Sequence, residues 1–252
     1  MSYCQRYLII QKITRVNNLD YKVICCSKYI KNLYKSDFGW KKTTYIYQTI
    51  NTYFIDRSIN KKLIKKIKSQ FKDQKIILAP GRIDNDKNHL TILKSINILK
   101  KDNLKFKIII IGEKGNSFKQ IKKYIANNKI EKFVDFIPLI KFEIFLNWLV
   151  AADLVILNSS QEPIGGIAFE NMYLKTNYII SYQTGWKEII INNKDGNVIN
   201  NTFDELEIYK RIKFVLSNRY KESLKKKNKE FIFKNFNNFK ISENWIRQIK
   251  HN

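Results

Sequence analysis

Short apolar runs that alternate with amphipathic segments constrain the fold of this chain more than any other feature. The runs lie at Lys75–Ala79, Phe106–Ile111, Val134–Ile137, Leu154–Leu157 and Tyr178–Ser181, and a last short element is expected near Gly196–Val198. Near-continuous apolar runs are typical of strands buried on both faces, and parallel strands need crossover helices between them. The alternation therefore predicts an α/β fold with a parallel sheet and helices on both of its faces.

The segments between and around these runs have the periodicity of helices. Helices are predicted at His89–Lys101, Ser117–Asn128 and Phe142–Ala152, and from a glycine-rich turn to about Lys175. Upstream, the pattern predicts strands at Val23–Cys26 and Tyr45–Ile50 and helices at Ser27–Lys35 and Ile59–Phe71. Two or three further helices are expected within residues 202–250.

The basic composition limits the classes of partner. The formal net charge is +25 over 252 residues, and lysine is abundant throughout the chain. Most of this charge is therefore expected on solvated surfaces. Nucleic acid is not an expected partner, because no strand combines basic and aromatic residues in the way that RNA-binding modules do. Attraction to an anionic substrate or to an anionic membrane surface stays open.

Cysteine, histidine and hydropathy patterns indicate the compartment. Cys4, Cys25 and Cys26 have neither the spacing of metal ligands nor that of a disulfide framework, and His89 and His251 are too few for a histidine-based metal site. No run reaches the ~18 apolar residues of a membrane span, and the N-terminus lacks the pattern of a signal peptide. We expect a cytoplasmic protein, either soluble or peripheral to a membrane.

Two glutamates, Glu162 and Glu170, frame a glycine-rich turn that follows the run Leu154–Leu157. A junction from strand to turn to helix directs backbone N–H groups and the positive end of a helix dipole outward, which favours an anion. Ionised carboxylates accept hydrogen bonds from hydroxyl groups. Phosphate on the amides and hydroxyls on the acids describe a sugar nucleotide, although Glu170 alone could also serve as a dipole partner of its helix.

Four motifs follow one another at the ends of the predicted strands. They are Gly81-Arg82-Ile83 with Asp86-Lys87-Asn88, then Ile110-Ile111-Gly112-Glu113, then Glu162 and Glu170 at Glu-x7-Glu spacing, and last Thr184-Gly185-Trp186-Lys187-Glu188 with Asp195-Gly196-Asn197. In this order they resemble the donor-binding half of retaining glycosyltransferases of family 4, over roughly residues 22–245. Ile164 departs from the phenylalanine usual in that family. The resemblance implies half of a GT-B fold, with a Rossmann-like parallel sheet.

The resemblance also implies roles for individual residues. Arg82 and Lys87 would stabilise the charge of a nucleotide diphosphate, and Glu162 would bind hydroxyls of the donor sugar, which makes these three the implied catalytic residues. Glu170 would hold the ribose hydroxyls, and His89 is interpreted as a residue of a helix start. The remaining donor-binding positions are Gly81, Gly112, Gly165, Gly166 and Ile167. Transfer in this family generally retains the anomeric configuration and needs no metal or other cofactor.

The same resemblance divides the chain into three parts. Residues 1–60 would be a remnant of an N-terminal acceptor domain with its linker, residues 61–200 the donor-binding domain, and residues 201–252 helices on or beside it. Because the acceptor half is mostly missing, the acceptor stays open between a glycan, a lipid and a protein, and a second chain could supply that half. Three interpretations remain: a glycosyltransferase, a nucleotide-sugar-binding module without transfer activity, and a truncated fragment with a relic site.

Overall fold

The computed structural model of the chain describes residues 23–182, 185, 189, 198–217 and 222–250. Its strands are β1 (Val23–Cys25), β2 (Thr43–Tyr45), β3 (Lys75–Pro80), β4 (Phe106–Ile111), β5 (Val134–Ile137), β6 (Leu154–Leu157), β7 (Tyr178–Ser181) and β8 (Val198–Ile199). Within the described residues, β1 pairs with β2, and the other six strands form one parallel sheet in the order β5-β4-β3-β6-β7-β8. The predicted parallel α/β fold is confirmed.

The sheet is buried on both faces, as its apolar runs predict. Strand β4 divides its side chains between two layers: Ile109 and Ile111 belong to one apolar cluster, and Ile108 and Ile110 to the other. Side chains of a strand alternate between faces, so a run without polar residues needs cover on both sides. The helices supply that cover.

Ten α-helices lie within the described residues. They are α1 (Lys28–Phe38), α2 (Thr52–Ser58), α3 (Lys61–Ser69), α4 (His89–Leu99), α5 (Phe118–Asn127), α6 (Phe142–Ala151), α7 (Ile167–Tyr173), α8 (Glu205–Leu216), α9 (Glu222–Phe236) and α10 (Asn238–Lys250). Helices α4, α5 and α8 cover one face of the sheet, and α2, α3, α6, α7, α9 and α10 pack over the other. None of these helices is long and apolar enough to cross a membrane.

The N-terminal part of the described chain is a small βαβ unit. Strands β1 and β2 are parallel, and α1 connects them. Ser27 caps α1 by accepting a hydrogen bond from the Ile30 backbone N–H, and Gly39 ends the helix in the left-handed conformation with φ 66°. The second predicted strand, Tyr45–Ile50, is shifted upstream to Thr43–Tyr45. Ile46 and Ile50 are buried because they pack against the apolar cluster that contains α9. Their even spacing therefore resembles the alternation of a strand.

The predicted helix Ile59–Phe71 corresponds to α3 (Lys61–Ser69), whereas the helix before it, α2 (Thr52–Ser58), was not predicted. Asn51 caps α2 and Asn60 caps α3, each by accepting a hydrogen bond from a backbone N–H three residues on. The break between them is held by Asn147 of α6, whose Oδ1 accepts from the Asn60 N–H at 2.7 Å and whose Nδ2 donates to the Ser58 carbonyl at 2.8 Å. The two capping asparagines therefore fix where α2 and α3 begin.

The strand order positions the ligand-binding edge of the sheet. From β3 the chain proceeds outward through β4 and β5, and it then returns to the other side of β3 for β6, β7 and β8. In open α/β sheets, ligands bind beyond the carboxyl ends of the strands at the point where the strand order reverses. Here that point lies between β3 and β6, so the loops after these two strands define the place to look for a site.

Candidate functional site

A cavity of about 220 Å³ lies beyond the carboxyl ends of β3 and β6. It is lined by residues of the two loops and of the helices that follow them: Pro80, Gly81, Lys87, His89, Ile92, Ile156, Leu157, Asn158, Ser159, Glu162, Gly165, Gly166 and Ile167, together with Ile180 of β7. We call this space the switch-point cavity. Six of the nine residues that the sequence predicted for the site line it.

The loop after β3 directs Lys87 toward the cavity. Gly81 has φ 135°, a backbone conformation that other residues rarely adopt, and its N–H donates to the Ile111 carbonyl at 2.9 Å. A 3₁₀ turn, Asn85–Lys87, follows, and Asn88 ends it in the left-handed conformation with φ 53°. The turn thus places Lys87 directly before α4, with its stem 3.6 Å from where a Cβ on Gly81 would lie.

Lys87 and Glu162 meet across the cavity. The Nζ group of Lys87 donates a hydrogen bond to Oε2 of Glu162, and Asp86 places a second carboxylate 3.7 Å from the same Nζ. A backbone contact joins the two loops, because the Ser160 N–H donates to the Asp86 carbonyl at 2.8 Å. Two loops that are far apart in sequence therefore bring the Lys87 ammonium next to the Glu162 carboxylate, with Asp86 as a second carboxylate nearby.

The glutamate loop is held on its outer side as well. The Ser27 hydroxyl donates to the Pro163 carbonyl at 2.8 Å, and the Gly185 N–H donates to the Glu162 carbonyl at 3.0 Å. Ser27 belongs to the N-terminal βαβ unit, so that unit contacts the site directly. These backbone anchors leave the Glu162 side chain directed at Lys87.

Glu170 lies one turn into α7, beside Gly166. Its Oε1 would be 3.9 Å from a Cβ on Gly166, and its Oε2 is buried with no hydrogen-bond partner among the described residues. Burial raises the pKa of the Glu170 carboxyl to about 7, against the smaller opposing effect of its own backbone N–H. The structure thus places a carboxyl with one buried, unpartnered oxygen next to the glycine turn.

Arg82 and Gly112 are not among the residues that line the switch-point cavity. Arg82 is exposed and forms an ion pair with Asp84, and both Arg82 and Gly112 line a neighbouring cavity of about 370 Å³ with Glu113. The two cavities share Pro80, Gly81 and Ile167. Arg82 also lines a third cavity, of about 740 Å³, together with Lys87 and Glu162. The structure therefore brings these three residues to one adjoining space, although Arg82 does not line the switch-point cavity itself.

The glycine at position 112 has a packing reason. A Cβ at this position would lie 2.1 Å from the Gly81 carbonyl oxygen, a distance that no real side chain tolerates. The Gly112 backbone therefore supports the neighbouring β3 loop by close approach.

Among the lining residues that the sequence interpretation of the site missed, two are deeply buried and polar. His89, the first residue of α4, and Asn158, which follows β6, are both 2% exposed. A polar residue directly after a buried strand is the signal that could have indicated Asn158. His89 carried no such signal, because a helix start explains it equally well.

The last sequence motif lies mostly outside the described residues. Gly185 and Ile189 are described, whereas Thr184, Trp186, Lys187, Glu188 and the stretch 195–197 are not. The roles implied for that motif stay predictions.

Comparison with known proteins identifies sequence relatives. The family model described as "Glycosyl transferases group 1" matches residues 60–232. A Campylobacter jejuni protein named GalNAc-alpha-(1->4)-GalNAc-alpha-(1->3)-diNAcBac-PP-undecaprenol alpha-1,4-N-acetyl-D-galactosaminyltransferase is 28% identical over 184 residues, which are 72% of this chain and 49% of that protein. The chain thus spans about half the length of this curated relative.

Solved structures share the fold. Anabaena HepE in complex with UDP-glucose superposes with a TM-score of 0.83 at 16% identity, over 96% of this chain and 68% of that chain. A glycosyltransferase from Rickettsia africae gives 0.79 at 19% identity, over 95% and 66%. The C-terminal domain of a Francisella tularensis group 1 family protein gives 0.58 at 18% identity, over 68% and 93%. At these identities the likeness shows the fold alone, and it confirms the predicted relation to GT-B proteins.

Proposed function

Because the chain belongs to the group 1 glycosyl transferases, we propose that it transfers a sugar from a nucleotide-diphosphate sugar to an acceptor. The observation that carries this proposal is the pairing of Lys87 with Glu162 in the switch-point cavity. One residue offers a cation for phosphate and the other an acceptor for hydroxyls, and both lie where α/β sheets bind ligands.

The donor's two chemical halves match the two charged groups. When the bond to the sugar breaks, negative charge develops on the nucleotide diphosphate, and the Lys87 ammonium stabilises it as a point charge. Glu162 accepts hydrogen bonds from the sugar hydroxyls, while Gly165, Gly166 and Ile167 lie against the sugar and the diphosphate. Glu170 accepts hydrogen bonds from the ribose. HepE has been solved with UDP and with UDP-glucose, which makes uridine nucleotides the first donors to test.

Donor binding changes the partner of Lys87. In the free protein its ammonium is held by Glu162. A bound diphosphate competes for the ammonium, and each contact that Lys87 makes to phosphate releases Glu162 for hydroxyl groups. Loading the donor thereby prepares both residues for their roles.

The finer features of the reaction follow from the family resemblance. We propose that the anomeric configuration is retained, and that fixed protein cations rather than a divalent metal stabilise the leaving diphosphate. Assays with EDTA and with added Mg²⁺ or Mn²⁺ test the second point, and NMR of the product's anomeric proton tests the first. Loss of transfer on chelation, restored by the metal, would contradict metal independence.

The acceptor side stays open between a glycan, a lipid and a protein. The described N-terminal unit reaches the site loop through Ser27 and Pro163, but it comprises only two strands and one helix before the linker. We propose that protein outside the described residues, such as a second chain, supplies most of the acceptor side. A nucleotide-sugar-binding subunit without activity of its own is the second candidate function, and the half-length match to the curated relative favours keeping it.

Two measurements test the proposal in sequence. Isothermal titration calorimetry with UDP, GDP and ADP determines whether the chain binds a nucleotide diphosphate and which base it prefers. Hydrolysis and transfer of the matching sugar donor, with and without the partner chain, then separate an enzyme from a binding subunit. If none of the three nucleotides binds, the proposed function is wrong.

A further inference from the structure

The buried end of the switch-point cavity carries polar groups that the proposed function does not use. Lys87, Glu162, Gly165 and Gly166 on its outer part are half-buried. The inner lining is far less exposed and consists of His89, Asn158 and the aliphatic residues Ile92, Ile156 and Ile180, each at most 2% exposed. The cavity therefore continues past the charged pair into the protein.

Asn158 presents an unpaired hydrogen-bond acceptor to this inner end. Its Nδ2 donates to the Thr202 carbonyl at 3.0 Å, which fixes the orientation of the amide because a carbonyl oxygen only accepts. Its Oδ1 is buried and has no hydrogen-bond partner among the described residues. Asn88 also donates to the Thr202 carbonyl, so that oxygen has a second donor independent of Asn158.

His89 presents a second acceptor. Its Nε2 lies 3.3 Å from the Ala79 carbonyl, which assigns the ring proton to Nε2. Burial is the main cause that lowers the pKa of His89 to about 4, so the ring is neutral at pH 7 and Nδ1 can only accept. Nδ1 also has no hydrogen-bond partner within the described part of the chain.

Two buried acceptors without donors are costly unless a ligand or water satisfies them. We propose that the inner end of the switch-point cavity is a specificity subsite in which a hydroxyl group of the transferred sugar donates its single hydrogen to Asn158 Oδ1 or to His89 Nδ1. Ile92, Ile156 and Ile180 form the apolar wall around that hydroxyl. A group that fills the subsite without a donor leaves both acceptors unsatisfied, so the subsite selects the configuration of the sugar.

This inference rests on the proposed function, since it assumes that a nucleotide sugar occupies the outer cavity. The wild-type protein is first titrated with UDP, GDP and ADP and then with the glucose, galactose, N-acetylglucosamine and N-acetylgalactosamine derivatives of the nucleotide that binds. Monodeoxy analogues of the preferred donor follow. We expect one of these analogues to bind the wild-type protein about tenfold or more weakly than the parent donor, the loss expected for an unsatisfied buried acceptor.

Variants connect that hydroxyl to the subsite. Asn158→Leu replaces the amide with an apolar side chain of similar shape. It should lower the affinity for the parent donor about tenfold, while the affinity for the free nucleotide diphosphate should change less than about twofold. His89→Phe should act in the same direction. In the variant that removes the acceptor of this hydroxyl, the parent and the sensitive monodeoxy analogue should bind alike, because a double cycle isolates the contact between hydroxyl and side chain.

Asn147→Leu is the matched control. Asn147 is a buried asparagine of α6 whose amide is satisfied by Asn60, Ser58 and Glu143, away from the cavity. Its substitution should lower stability without changing the ratio between parent and analogue affinities. Thermal unfolding of all variants shows which of them fold, and the comparison of analogues on the wild-type protein needs no variant.

The outcomes separate the two levels of the proposal. If no nucleotide binds the wild-type protein, the proposed function fails and the subsite fails with it. If nucleotide and donor bind but every monodeoxy analogue binds like the parent, ordered water satisfies Asn158 and His89 and only the subsite is wrong. The subsite is equally wrong if the loss for the sensitive analogue persists in full in both Asn158→Leu and His89→Phe.

Discussion

The Lys87 ammonium donates a hydrogen bond to Oε2 of Glu162, and the two side chains are only 25% and 22% exposed. The residues are 75 positions apart in sequence and belong to the loops after β3 and β6. The charge of the free site is therefore compensated, because each partner neutralises the other. A ligand that carries both phosphate and hydroxyl groups can replace this pairing without leaving either group alone.

Replacing Lys87 should weaken nucleotide binding directly. Lys87→Ala removes the cation and leaves Glu162 next to the incoming diphosphate, so we expect UDP to lose about 1–3 kcal/mol of binding free energy. Lys101→Ala, at an exposed lysine beyond α4, removes the same formal charge and should have almost no effect. Isothermal titration at a fixed ionic strength measures both variants. Equal affinities for wild type and Lys87→Ala would reject the assignment of Lys87.

Arg82 should contribute less than Lys87. Its side chain is 58% exposed and already paired with Asp84, so it must exchange that partner to reach a phosphate from the neighbouring cavity. We expect Arg82→Ala to weaken the binding of UDP by about 1 kcal/mol, which is the typical net contribution of one hydrogen bond. A loss larger than that of Lys87→Ala, in parallel titrations, would mean that the loop rearranges to make Arg82 the main phosphate ligand.

Glu170 should make donor affinity depend on pH. Ribose hydroxyls donate to the ionised carboxylate, whereas burial raises the pKa of Glu170 to about 7 in the free protein. The affinity for UDP-glucose, which lacks a terminal phosphate, should therefore rise about tenfold from pH 6 to pH 8 and then level off. The affinity of Glu170→Gln for UDP-glucose should not change over the same pH range. If the affinity of the wild-type protein does not depend on pH, the proposed contact between Glu170 and the ribose is wrong.

The same carboxyl should change stability with the opposite trend. A carboxyl whose pKa is higher in the folded state stabilises the protein fully below its unfolded pKa, and this stability is lost as the pH rises through about 7. The loss is about 3 kcal/mol for a shift from 4.5 to about 7. Urea unfolding of wild type and Glu170→Gln isolates this effect, because His89 titrates alike in both proteins. A difference between them that stays constant from pH 5 to pH 8 would contradict the raised pKa.

A side chain at position 112 should lower the stability of the folded protein. Gly112→Ala places a Cβ 2.1 Å from the Gly81 carbonyl oxygen, and backbone must move to accept it. We expect the free energy of unfolding to fall by about 2 kcal/mol or more. Gly39→Ala is the control, since its Cβ would meet nothing within 4 Å and only the φ of 66° opposes it, at a cost of about 1 kcal/mol. If both variants lose a similar free energy of unfolding, the loop after β3 can move to accept the Cβ, and the packing role of Gly112 is wrong.

Much of the fold was readable from the sequence because its sheet is buried on both faces. Strand β4 was predicted with its observed bounds, since an isoleucine run between polar segments has few alternatives. The upstream strand was misplaced because Ile46 and Ile50 are buried by contacts with the α9 region, and sequence distance hides those contacts. Helix α2 was not predicted, and Asn147 of α6, which bonds to Ser58 at its end and to Asn60 at the start of α3, is equally invisible in a local pattern.

The candidate site was readable where a motif and a loop coincide. Lys87, Glu162 and the two glycines after it were predicted from motif order, and parallel strands bring their loops to one edge. Arg82 was predicted for the same group. It pairs with Asp84 and lines a cavity with Lys87 and Glu162 that adjoins the switch-point cavity. Asn158 and His89 could not be predicted as a pair, because only the folded structure shows that neither of their acceptors has a partner among the described residues.

A crystal structure of the protein with UDP bound tests the central claim most directly. We expect the diphosphate in the switch-point cavity with a phosphate oxygen within hydrogen-bonding distance of Lys87 Nζ, and with the Glu162 carboxylate released from that ammonium. UDP bound on another surface, with Lys87 and Glu162 still paired to each other, would contradict the account.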